Sequence, residues 1–262
     1  MRTDGDDPLS GAVDGDHQQL MYLLDNTFIT LSNFSTGIEL PQCHSVTRYR
    51  LINTIVHWIL CSLSSAADAF ISMVTEDALP IHISPRQISL QIIAKWCTNA
   101  LNVDCILLDL SREQLLALGH ALLDIMHTSG EPVDREHCLM IICSLCKRNR
   151  ALVQFFCSHR VCLELIFNYL ECYEYQQQQY VIATLTTCCY ASSSSMPLPV
   201  PTNHSMDMMI DSCVQLLLLF TAVKENNYLR LFEHKLVDIS SSIYFEQKIL
   251  RGFAEILFLM KL

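Results

Sequence analysis

Between residues 205 and 223, Met206, Met209, Ile210, Cys213, Leu216, Leu217, Phe220 and Val223 recur at intervals of three and four. That period places them on one face of an α-helix. Ser205 is the expected cap. Asp207 falls in the first turn, where a carboxylate suits the positive end of the helix dipole. Leu218 and Leu219 widen the apolar surface, so this helix is expected to be buried on more than one side. The polar run Glu225-Asn226-Asn227 ends it. A short helix with Tyr228, Leu231 and Phe232 inward is predicted next. A long closing helix follows, capped by Ser240, Ser241 or Ser242, with Ile243, Leu250, Phe253, Leu257 and Met260 on one side. Three such helices make one layer and need a second layer to bury against.

The same period runs through the rest of the chain. Helices are predicted over about 18–34, ended by Gly37, and over about 46–63, the latter carrying Leu51, Ile55, Trp58 and Ile59. Residues 64–83 read as a connection with one short turn at 67–74. Ser84-Pro85 is a start signal, since serine caps and proline suits the first helical position. Its helix runs through Ile88, Ile92, Ile93 and Trp96. Ser111 caps another, with Leu115, Leu118, Leu122, Ile125 and Met126 inward. Pro132 or Asp134 opens the next. Shorter helices cover about 151–158 and 159–171, and one through Val181, Leu185 and Cys188 follows the glutamine tract at 176–179. Residues 191–204, with three prolines and a serine run, read as a flexible loop. Residues 1–16 read as a disordered acidic tail and 17–262 as one helical domain. The expected fold is all-α, about ten helices in consecutive pairs of about forty residues, which is the armadillo or HEAT rhythm. A compact helical bundle is the alternative.

Composition sharpens this picture. Apolar residues make up 51% of the chain and charged ones 17%, while 7 glycines and 8 prolines supply too little turn chemistry for a β-sandwich or dinucleotide-binding fold. The net charge is −10, of which the first sixteen residues carry −4. That balance argues against broad contact with a phosphate backbone. A local basic spot at Lys147, Arg148, Arg150 and Arg160 reads as the polar end of a helix. The longest apolar run, 51–67, contains too many polar side chains for a membrane span.

Thirteen cysteines invite a search for chemistry. The start of the chain is polar and acidic, unlike a secretory signal, so the thiols are expected to stay reduced. Cys143, Cys146, Cys157, His159 and Cys162 offer thiolate and imidazole ligands for a tetrahedral zinc ion. The competing reading is packing, because Cys143 and Cys146 lie three apart in the apolar helix LMIICSLCK. Cys188-Cys189 reads as core filler, since no cation or base near it would generate a thiolate. Leu20-Met21-Tyr22-Leu23-Leu24 matches a groove-docking LxxLL pattern, which leucine-rich core helices also produce. No phosphate-cradling glycine loop, nucleophile elbow, zinc-protease helix or paired-carboxylate motif is present, so no enzyme or cofactor is expected.

Four blocks carry a family resemblance. They are LLDNTFITLSNFSTGIEL (23–40) continuing into VHWILCSLSSAADAF (56–70), ISPRQISLQIIAKWCTNALNVDCIL (83–107), VDREHCLMIICSLC (133–146), and the stretch 205–240 running on to EILFLM. Together they resemble the C-terminal domain of the Osa family, the large ARID-containing subunits of BAF-type SWI/SNF chromatin remodellers. The resemblance spans about residues 20–260 and is weakest over 108–204. It implies an armadillo-like, non-enzymatic scaffold in the nucleus. Such a scaffold grips the ATPase segment leading into its helicase-SANT-associated (HSA) helix, and contacts SWIRM/SANT and SWIB-type core subunits. The family's ARID domain and Gln/Pro/Ser-rich region are absent from this sequence. DNA binding is therefore not carried over, and the chain reads as a fragment, an incomplete gene model or a short isoform. Positions matching the last block, Tyr228, Leu229, Phe232, Glu233 and Asp238, are the expected partner contacts, with core packing as the competing role for Tyr228 and Phe232. A cytosolic armadillo-type adaptor for an extended peptide is the alternative function.

Overall fold

A computed structural model of the chain describes residues 37–61, 85–190, 204–223, 227–242 and 245–261, with side-chain surroundings for all of these except 85, 176–190, 204–208 and 227–228. Helices dominate, and no strand occurs among the described residues. The acidic tail, the first expected helix with its LxxLL pattern, the 64–83 connection and nearly all of the 191–204 loop lie outside the described residues. The chain divides into two compact units, Met1–Trp96 and Cys97–Leu262.

In the first unit a 3-10 turn at Leu40–Gln42 precedes α1, Ser45–Cys61, and α2 spans Pro85–Cys97. α1 buries Ile52, Ile55, Val56 and Ile59, a single stripe at three- and four-residue spacing. Trp58 was expected on that stripe and is instead 39% exposed. It sits about 100° round the axis from Ile59, on the flank of the stripe. α2 starts at Pro85, as the Ser-Pro pair predicts, and buries Ile88, Ile92, Ile93 and Trp96.

The second unit contains α3 Ala100–Asp109, α4 Arg112–Thr128, α5 Pro132–Cys146, α6 Arg150–Cys157 and α7 Arg160–Tyr190. After these come α8 His204–Thr221, α9 Asn227–Leu231, α10 Glu233–Ser240 and α11 Gln247–Met260. α4, α5, α8 and α11 lie side by side in one row. α6, α7 and the α9–α10 pair pack against that row as a second layer, and α3 lies on α5. Short helices stacked in two layers, each touching mainly its neighbours, are the armadillo/HEAT arrangement. Phe156, Phe167, Phe220 and Phe253 fill the space between the layers and are fully buried. Where α8 meets α11, Gly252 faces Val214, and a Cβ on Gly252 would overlap the Val214 Cγ1. The two helices approach this closely because position 252 has no side chain.

Local signals explain most boundaries. At α4, Gln114 N–H donates to Ser111 Oγ at 3.2 Å and Ser111 N–H donates to the Gln114 side chain at 2.9 Å, a complete capping box. Asn149 Oδ1 accepts from Ala151 N and Leu152 N at the start of α6. Four expectations change. α3 was not expected; Asn99 caps it, and Asn102, Val103, Cys105 and Ile106 are its buried face. Two of those four side chains are not strongly apolar, which hid the period. The two helices expected around the glutamine tract are one helix, α7, because glutamine is a good helix former and no glycine or proline interrupts 160–190. α8 begins at His204, so Ser205 lies within its first turn and does not cap it. The serines at 240–242 do not cap the closing helix. Ser240 Oγ and Ser241 Oγ donate back to Val237 O at 2.8 Å and Asp238 O at 2.7 Å, closing α10, while α11 starts after Glu246. A serine hydroxyl can satisfy the carbonyls of a helix end as well as the amides of a helix start.

Candidate partner-binding surface

The family-derived positions cluster on α9 and α10. Leu229 is 2% exposed and Phe232 8% exposed, and with Leu236 and Ile239 they form the inner face. Phe232 stacks flat on Phe167 of α7, with ring centroids 5.0 Å apart and planes 6° from parallel. Lys235 Nζ donates to Glu171 Oε1 at 2.6 Å, a second tie between α10 and α7. Both side chains are part-exposed, so this ion pair contributes about 0–1 kcal/mol and the aromatic packing dominates. Tyr228 lies in α9, but its side-chain surroundings lie outside the described residues.

The opposite face is open. Arg230, Leu231, Glu233, His234, Val237 and Asp238 are all exposed. Leu231, expected inward, is 60% exposed, because the inner face follows Leu229, Phe232, Leu236 and Ile239 at three- and four-residue spacing and Leu231 lies about 100° round the axis from Phe232. Leu231 and Val237 thus place apolar surface among charges of both signs. Of the five expected contacts, Glu233 and Asp238 point outward, whereas Leu229 and Phe232 anchor the helices that present them. Sequence reasoning missed Val237. Its only signal was its place, four residues from Glu233 and adjacent to Asp238.

A recess lies between α8 and α11, with a volume of about 460 Å³. Lys248 Nζ donates to Asp211 Oδ2 across it at 2.6 Å. Arg251, Glu255 and Gln215 line the rest, and the mixture carries no catalytic arrangement.

The cysteine candidates are interior. Cys143, Cys146, Cys157 and Cys162 are all buried, and Cys213 of α8 joins them. Burial pushes the Cys157 thiol up to about 11 and the Cys162 thiol up to about 12. It also raises Cys143, Cys146 and Cys213, and neighbouring thiols add to the shift at Cys146 and Cys213. These groups remain protonated and pack as small apolar side chains. His159 is turned away from them. Its Nδ1 lies 2.7 Å from Phe155 O and its ring packs on Phe155 and His120. Among the described residues no group of three or more His, Cys, Asp or Glu side chains could hold a metal ion. Nor is any described helix long and apolar enough to cross a membrane. The basic residues do not converge: Arg160 pairs with Glu164 at 2.7 Å and Arg148 faces Asp104 at 3.9 Å.

Comparison with known proteins completes the picture. The chain is 21% identical over 152 residues to the trithorax group protein osa of Drosophila melanogaster. That alignment covers 58% of this chain and 5% of the fly protein, so the chain spans about a twentieth of that relative's length. A family profile described as SWI/SNF-like complex subunit BAF250/Osa matches residues 12–209. The matched span takes in the middle of the chain, where the resemblance had been weakest, and only the opening residues of the last block. With well over half of its length matched, the chain belongs to the BAF250/Osa family of SWI/SNF-like complex subunits.

Proposed function

We infer that this chain is a non-enzymatic scaffold domain of a SWI/SNF chromatin-remodelling complex in the nucleus. It ties the ATPase arm, through the segment leading into the HSA helix, to the SWIRM/SANT and SWIB-type core subunits. Its match to the BAF250/Osa profile over 12–209 is the observation that carries this reading. The stacked helices support it physically, since a row of short helices offers long surfaces to helical partners. The outer face of α9–α10 is the contact, with Glu233 and Asp238 touching the partner and Leu229 and Phe232 holding the element in place. Leu231 and Val237 supply the apolar part of that face. Neither nucleic acid nor membrane is a partner of this chain.

The test is recovery of the tagged chain from nuclear extract. Co-purification of the remodeller ATPase with SWIRM/SANT and SWIB-type subunits is the expected result. A folded chain that brings down none of them would overturn the assignment, and recovery of cytosolic partners instead would replace it with the peptide-adaptor reading. Alanine at both Glu233 and Asp238 is expected to reduce recovery, with the melting temperature unchanged. Unaltered recovery would remove α9–α10 as the contact.

A further inference from the structure

His120 of α4 and His159, at the junction of α6 and α7, meet with ring centroids 5.2 Å apart and planes at 77°. The first is exposed and the second half-buried. Phe155 sits against both, at 4.8 Å from His120 and 4.3 Å from His159. Gly119 permits the approach, since a Cβ there would lie 2.8 Å from Phe155 Cε1. The tautomer of His159 follows from its surroundings. Its Nδ1 lies 2.7 Å from Phe155 O, a carbonyl that can only accept, so Nδ1 carries the proton. The Nε2 lone pair is then free and its direction fixed. A ligating histidine is oriented by this same bond to a backbone carbonyl. His120 has ring contacts and no hydrogen bond among the described residues, so its imidazole can turn to meet a shared ligand.

We propose that His120 and His159 form a surface two-histidine site for a late first-row divalent cation of the zinc class. Imidazole nitrogen is the ligand type these ions prefer, at about 2.0–2.1 Å. Water completes the coordination, so the site is open and weaker than a four-ligand structural zinc. The ion bridges α4 to the start of α7 and stabilises the folded chain by mass action. This site does not depend on the scaffold assignment, nor on the buried thiols.

The experiment is a zinc chloride titration of the full chain at pH 8 in a non-chelating reductant, following the melting temperature. The expected result is a saturable rise that His120→Gln and His159→Gln each abolish, and that the double variant His57→Gln/Cys61→Ser retains. This control matters because Cys61 Sγ lies 3.2 Å from His57 Nε2 on α1, another exposed donor pair. A rise that persists in both histidine variants, or no rise in the wild-type chain, overturns the proposal. Should a histidine variant lack a cooperative melt, nickel broadening of wild-type amide signals decides. Selective loss around residues 119–120 and 158–160 supports the site, and loss elsewhere refutes it.

Discussion

Phe232 and Glu233 are adjacent, and the chain uses them oppositely. The ring lies against Phe167 and the carboxylate lies in water. Phe232→Ala is therefore expected to cost about 3–5 kcal/mol in a denaturant melt, the range for deleting a buried aromatic side chain. Glu233→Ala and Asp238→Ala should each stay within about 0.5 kcal/mol of wild type in the same melt. Gly252 gives a third case. Alanine improves helix propensity by about 1 kcal/mol. However, its methyl overlaps Val214 on a neighbouring helix, and overpacking costs about 1–3 kcal/mol. A lower melting temperature for Gly252→Ala is expected, and a higher one would show that α8 and α11 can part without cost. At this scale the sequence disclosed polarity but not phase. Phe232 was legible as inward. Leu231 was not legible as outward, because it is apolar and adjacent to Phe232, and only Leu229, Leu236 and Ile239 show which of the two lies on the stripe.

Among the helices, the legible ones carry an explicit start. Ser111 with Gln114 marks a beginning that the structure keeps as a capping box, and the helix over Pro85–Cys97 starts at the proline. Ser111→Ala should lower stability by about 1 kcal/mol, measured by denaturation, since it removes one half of the box directly and unhooks the other. Illegible elements share a different cause. α3 is ten residues long and buries an asparagine and a cysteine, so its period was faint. α7 was legible as helix but not as one helix, because a polar tract was read as an interruption although its residues favour helix. The serine run at 240–242 was read as a start and serves as an end.

For the whole molecule, composition gave the all-α class and the odd, abundant cysteines gave a zinc candidate. Burial raises the pKa of those thiols, which suits their packing as small apolar side chains. The consequence for stability has a definite sign. Folded pKa values of about 11 for Cys157 and about 12 for Cys162 exceed the ordinary 9.0. Below pH 9 the thiols are protonated in both states and their contribution is fully present. Above pH 9 the unfolded chain loses protons first, so stability falls as pH rises through about 9 to 12. Denaturant midpoints should be flat below pH 9 and decline above it, with a shallower decline in Cys157→Ala/Cys162→Ala. A flat profile to pH 11 would show that these thiols ionise freely in the folded chain. Family membership was legible because several long blocks recur in order. The positions expected to contact a partner came only from mapping those blocks, and burial separates the outward Glu233 and Asp238 from the anchoring Phe232.

α7 has one mechanical consequence. Its 31 residues make a rod about 46 Å long, and its first half holds Phe167 and Glu171, the two side chains that clamp α9–α10. A load applied near Tyr190 reaches that clamp as leverage along an unbroken beam, with no joint to absorb it. Gln178→Gly would weaken the beam at its middle by about 1 kcal/mol, so amide exchange there should quicken while the clamp stays intact.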